Sequence, residues 1–96
     1  MNKYSIVKHP ADVMRDLSEK AAALRKQKGY SQAELAKRSG VSLGSIRRFE
    51  QSGKISLESL LLIAQLLDRL TDFDDLLKPF EDLKEIEKLF SDKTRK

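Results

Sequence analysis

The sequence has no cysteine and no tryptophan, one histidine, two prolines and four glycines. Without cysteine there is neither a disulfide framework nor a thiolate zinc site, and a reducing cytoplasm is the natural setting. The single histidine, His9, cannot build a histidine-based metal site alone. No apolar run approaches the roughly 18–20 residues of a membrane span, and the N-terminus lacks a signal-type apolar core. No glycine-rich phosphate loop, internal repeat or low-complexity tract is present. At 96 residues the chain suits one core, because separate cores need on the order of 100–200 residues each. A Rossmann or barrel enzyme with its own cofactor domain is excluded. What is present is an apolar fraction of 40% with four Phe and two Tyr. That allows a small core, one that gains from a partner or a dimer.

Charge is unevenly placed. Met1–Ile55 carries twelve Lys/Arg against five Asp/Glu, a balance of +7, and Ser56–Lys96 carries seven against ten, a balance of −3. With the basic tail set aside, Ser56–Asp92 carries four against ten, a balance of −6. One half is suited to a polyanion, and the other is expected to face away from it.

The apolar spacing predicts helices almost throughout. Val13, Met14, Leu17, Ala21 and Leu24 form an amphipathic stripe between Pro10, suited to a first helical position, and Gly29, suited to a helix end. Ser31 and Glu34 have capping-box spacing ahead of a short helix that Ser39-Gly40 interrupts. Ser42 caps the next, from Leu43 to about Gln51, and Ser52-Gly53-Lys54 ends it. Ser56 opens a fourth helix whose leucines, continuing to Leu70, are too many for one stripe, so this helix is expected to be central and largely buried. A fifth starts at Thr71 or Asp72 with Phe73, Leu76 and Leu77 inward. After Pro79, the residues Phe80, Leu83, Ile86, Leu89 and Phe90 step along one face of a last helix. Tyr4, Ile6 and Val7 suit a short strand or arm.

Two short capped helices joined by Ser39-Gly40-Val41 are the sequence form of a helix-turn-helix. Gly40 supplies the positive φ of the sharp turn, Ala36 is small where the helices cross, and Ile46 and Phe49 bury one face of the second helix. The run Ser31-Gln32-Ala33-Glu34-Leu35-Ala36, with Gly40-Val41-Ser42, Ser45-Ile46, Phe49-Glu50 and Gly53-Lys54, resembles the lambda-repressor/Cro (XRE) helix-turn-helix family. The resemblance covers Leu24 to Leu77. It implies an all-α, five-helix DNA-binding domain, here with an additional C-terminal helix, that acts as a dimer with residues 43–51 in the major groove. The helical extension and basic tail are also similar to HipB-like antitoxins, which repress their own operon and bind a kinase toxin.

Carried over by position, the resemblance implies that Gln32 braces the DNA backbone and a base-contacting neighbour. It places Leu43, Gly44 and Arg48 where relatives read bases, and Arg25 and Glu50 in a structural ion pair. This chain departs from the polar pattern: Gly44 has no side chain and Leu43 can touch only a thymine methyl. Base reading therefore falls to Arg48 and Arg47, with Ser45 secondary. Ser42, Ser52, Gly53, Lys54 and Ser56 suit phosphate oxygens. Lys37 and Arg38, beside the turn, suit phosphate or solvent equally.

Against these stand plainer readings. His9 is an exposed residue before Pro10. Asp68, Asp72, Asp74 and Asp75 lack the glycine and terminal glutamate of a calcium loop, so they serve capping and solvation and no metal is expected. No nucleophile–base pair or acid–base dyad is present, so no catalytic residue and no cofactor is expected. Phe80, Leu83, Ile86, Leu89 and Phe90 either pack back on the domain, build a dimer interface or receive another protein.

The expected organisation is an N-terminal arm over 1–9, a helix-turn-helix domain over 10–78, and a C-terminal helix with basic tail over 79–96. The expected partners are palindromic double-stranded DNA, a second copy of the chain and a kinase-like toxin, in a bacterial cytoplasm at the nucleoid. A stand-alone phage or mobile-element regulator is one alternative. An interaction adaptor that reads no DNA is another.

Overall fold

In a computed structural model, which describes residues 8–81 and residue 87, all regular elements among the described residues are helices. Four α-helices, α1 (Pro10–Gln27), α2 (Gln32–Ser39), α3 (Leu43–Ser52) and α4 (Leu57–Leu66), are followed by a 3₁₀ helix, Leu70–Asp75. Leu83, Ile86, Leu89 and Phe90, like Tyr4, Ile6 and Val7, lie outside the described residues.

Local chemistry sets the boundaries. Exposed His9 precedes Pro10, and its backbone N–H donates to the Asp12 carboxylate at 3.3 Å. At the far end of α1, the Tyr30 N–H donates to the Arg25 carbonyl at 3.1 Å and the Gly29 N–H to the Lys26 carbonyl at 2.9 Å. This pair of bonds satisfies carbonyls that a helix terminus leaves without partners. Ser31, Ser42 and Ser56 cap α2, α3 and α4, each accepting the backbone N–H three residues on at 3.0–3.1 Å. The capping box at Ser31 is half made. The Glu34 carboxylate pairs instead with Arg38, one turn further along α2, where the opposite charge draws it.

The core is Leu35, Val41, Ile46, Phe49, Ile63 and Leu67, with Ala64 beside them. It sits where α2, α3 and α4 converge, and α1 packs across α3. Fully burying such side chains contributes roughly 1.5–3 kcal/mol each.

Two expectations change in the second half of the chain. The α4 helix stops at Leu66 and does not continue to Leu70, because Asp68 adopts φ 62°. In that conformation the Arg69 N–H reaches the Ala64 carbonyl at 2.8 Å and the Asp68 N–H the Gln65 carbonyl at 3.2 Å. Aspartate tolerates this left-handed geometry better than most residues, and its carboxylate is held by Lys28 Nζ at 2.6 Å. Nor is α4 buried all round. Ile63, Ala64 and Leu67 face the core, whereas Leu57 is 66% exposed and Leu62 and Leu70 are also exposed.

The fifth element is a 3₁₀ turn, and only Phe73 of its three expected inward residues is half-buried. Leu76 is 59% and Leu77 is 99% exposed. The chain leaves helical geometry at Leu76, with ψ 134°, and at Leu77, with φ 56°, ahead of Pro79.

Gly40 and Gly53 both have positive φ, 81° and 80°. A Cβ on Gly40 would meet open space, whereas on Gly53 it would lie 2.9 Å from the backbone of Met14 in α1. Gly40→Ala is therefore expected to cost about 1–2 kcal/mol from left-handed strain. Gly53→Ala is expected to cost roughly 2–5 kcal/mol, because overpacking adds to the same strain. Urea unfolding midpoints of the two variants measure the difference.

Candidate nucleic-acid interface

The helix-turn-helix is α2, the turn at Gly40 and α3. Ile46 and Phe49 turn one side of α3 into the core, and both are buried. The opposite side presents Gly44, Arg47, Arg48 and Gln51, all exposed. Their spacing of three, one and three residues places them on one stripe of the helix. Among the described residues neither Arg47 nor Arg48 is in an ion pair, which leaves two guanidinium groups side by side with donors unengaged by acids.

What aims this stripe is a buried polar bridge beneath it. Arg25 of α1 is 8% exposed. Its Nε donates to Glu50 Oε2 at 2.7 Å and its Nη2 to Glu50 Oε1 at 3.0 Å, while Nη1 donates to the Tyr30 carbonyl at 2.8 Å. Gln32, at the start of α2, donates its side-chain N–H to Glu50 Oε1 at 2.9 Å. One carboxylate on α3 thus joins α1 and α2, and Arg25 extends the bridge to the turn after α1. Burial pushes the Glu50 carboxyl up, but the hydrogen bonds from Arg25 and Gln32, with the Arg25 charge, outweigh it and hold the carboxyl below its usual range.

The other sequence-assigned residues are placed as follows. Leu43 and Ser45 are half-buried at the start of α3. The exposed Ser42 both caps α3 and donates to Ser45 Oγ at 2.9 Å. Ser52 Oγ donates to the Arg48 carbonyl at 2.7 Å and accepts the Lys54 N–H at 3.2 Å, so it closes the end of α3. Ser56 is exposed and caps α4, and Lys37 and Lys54 are exposed. Arg38 pairs with Glu34 and lies 5.0 Å from the centre of the Tyr30 ring, which anchors it more firmly than its neighbour Lys37.

Gly53 is buried against Met14, and its N–H donates to the Phe49 carbonyl at 2.7 Å, which engages that N–H within the domain. Gln51 is the residue that the assignment missed, although its place seven residues after Gly44 put it on the exposed stripe. Three of the four aspartates Asp68, Asp72, Asp74 and Asp75 have cationic neighbours: Asp68 pairs with Lys28, Asp72 with Arg69 and Asp75 with Lys78.

Because the Glu50 carboxyl is held low, its stabilising contribution is full above about pH 4.5 and is lost as the pH falls through its depressed folded value. Arg25→Met leaves that carboxylate buried without its main partner and is expected to cost about 3–5 kcal/mol near neutral pH. The deficit should narrow on acidification, since protonation relieves the unpaired charge. Denaturant titrations of both chains between about pH 3 and 7 test this, and a pH-independent deficit would contradict the assignment.

Residues 22–73, just over half of the chain, match the helix-turn-helix family model. Comparison with curated proteins and with solved structures gives no match. The matched span runs from within α1 to the 3₁₀ helix, and it contains the whole Arg25–Gln32–Glu50 bridge and the exposed stripe of α3. The chain belongs to the XRE-type helix-turn-helix family and is a DNA-binding helix-turn-helix regulator.

Proposed function

We propose that this regulator is a sequence-specific repressor that occupies an inverted-repeat operator as a homodimer, and that it is the autoregulating antitoxin of a toxin–antitoxin pair. The observation that carries DNA reading is the exposed stripe of Gly44, Arg47, Arg48 and Gln51 on a helix locked from beneath by Glu50. Arg48 reads bases, with guanine O6 and N7 as a bidentate target, and Arg47 reads bases or grips phosphate. Ser45 and Leu43 contribute at the helix start. The exposed Lys37, Lys54 and Ser56 hold the DNA backbone, as does the N-cap of α3 at Ser42.

Dimerisation is supported by need and by surface. One such domain covers a single half-site, and two half-sites lie about 34 Å, one DNA turn, apart. The exposed Leu57, Leu62 and Leu70 supply an apolar surface that a second copy could share. The antitoxin role is supported by the resemblance to HipB-like proteins and by an acidic second half suited to a protein partner rather than to DNA. The setting this implies is a bacterial cytoplasm, at the nucleoid.

Selection of bound duplexes from a random pool tests the proposal. The expected product is an inverted repeat, and a pool that stays random would overturn it. Arg48→Ala is expected to relax base choice at one position by about 1–3 kcal/mol. Lys54→Ala should instead weaken all sequences alike and lower the salt slope by about one. An unchanged operator preference in Arg48→Ala would remove Arg48 as the reader.

A further inference from the structure

One face of the domain is an open apolar groove. It has a volume of about 510 Å³ and is walled by α1, α4 and the 3₁₀ helix. Val13, Leu17 and Leu24 line one side, Leu60 and Leu67 the floor, and Phe73 the other side. Val13 and Leu17 belong to the expected core stripe of α1, yet they remain 41% and 39% exposed. Among the described residues, no element covers this part of the core.

We propose that the chain's own C-terminal segment, residues 80–90, covers this groove with Phe80, Leu83, Ile86 and Phe90. The inference is independent of DNA reading. Its first support is where the chain leaves the domain. Leu76 lines the groove, so Phe80, 52% exposed and four residues later, starts the apolar stripe within about 13 Å of chain from the groove wall. A tether this short gives an effective concentration in the millimolar range, well above that of a second copy at micromolar protein.

Length is the second support. The lining of α1 from Val13 to Leu24 spans about 16 Å at 1.5 Å per residue, and the stretch from Phe80, which is itself non-helical, to Phe90 reaches at least about 15 Å, the length it would have if wholly helical. Charge is the third. The lining carries Lys20 and Arg69, with Asp72 paired to Arg69, a surplus of one positive charge, while Glu81–Asp92 carries Glu81, Asp82, Glu85, Glu87 and Asp92 against only Lys84 and Lys88.

The cysteine-free chain permits a direct test in the full-length protein. Leu17→Cys is combined with Ile86→Cys or, as control, with Glu85→Cys, one residue away in sequence but off the apolar stripe. After mild oxidation at micromolar concentration, the intrachain disulfide is expected in at least roughly tenfold higher yield for the Ile86 pair than for the control. Equal yields would overturn the proposal, and predominantly interchain disulfides would assign the groove to a second copy. In a separate variant, Ile86→Asp is expected to lower Tm by at least about 4–8 °C, the shift of a domain this size for a modest packing loss. An unchanged Tm would also overturn the proposal.

Discussion

The Glu50 carboxylate is the point on which the orientation of the molecule depends. It receives two bonds from Arg25 and one from Gln32, and Arg25 uses its remaining arm on the Tyr30 carbonyl. Three helices, α1, α2 and α3, therefore meet at one pair of oxygens, and Arg25 ties the turn after α1 to the same cluster. A buried ion pair adds little net stability over well-packed apolar side chains. Its value here is directional. A guanidinium presents donors in a fixed fork, so α3 is held at one rotation about its own axis relative to α1 and α2, where a purely apolar contact would tolerate several.

That rotation decides which residues of α3 face outward. With Ile46 and Phe49 inward and Glu50 clamped, Arg47, Arg48 and Gln51 point away from the core together with Gly44. The serines around them act mainly on their own backbone. Ser42 and Ser56 begin helices and Ser52 ends one, so the charged side chains are left as the long-reaching groups. Gly53 contributes from the inside, since the close passage of α1 at Met14 fixes the end of α3. Under the proposed function rigid placement matters, because bidentate base contacts are geometrically demanding, whereas phosphate contacts are more forgiving.

The first half of the chain was legible in its sequence because its signals are local. Ser31, Ser42 and Ser56 announce three helix starts, and Gly29, Gly40 and Gly53 punctuate the ends. The Arg25–Glu50 pair came through by resemblance, not by spacing, since nothing in a separation of 25 residues declares a contact. The second half was less legible. Asp68 performs a helix-ending role that the reading reserved for glycine, and the leucine-rich run around it hid the end of α4. Composition also failed to say which leucines were inside: Leu67 is buried and Leu77 almost fully exposed.

By itself the sequence determined the helical class, the caps, the turn at Gly40, the basic character of the DNA-binding half and the apolar side of α3. These follow from one residue's φ, one hydroxyl's reach or a period of 3.6, all of which act within a few positions. Tertiary structure alone decided that Gly53 serves packing, that Arg38 lies against the Tyr30 ring and that Val13 and Leu17 line an open groove. Each of these depends on which element lies across from the residue, and that partner is set by the packing of the whole core rather than by any neighbour in the chain.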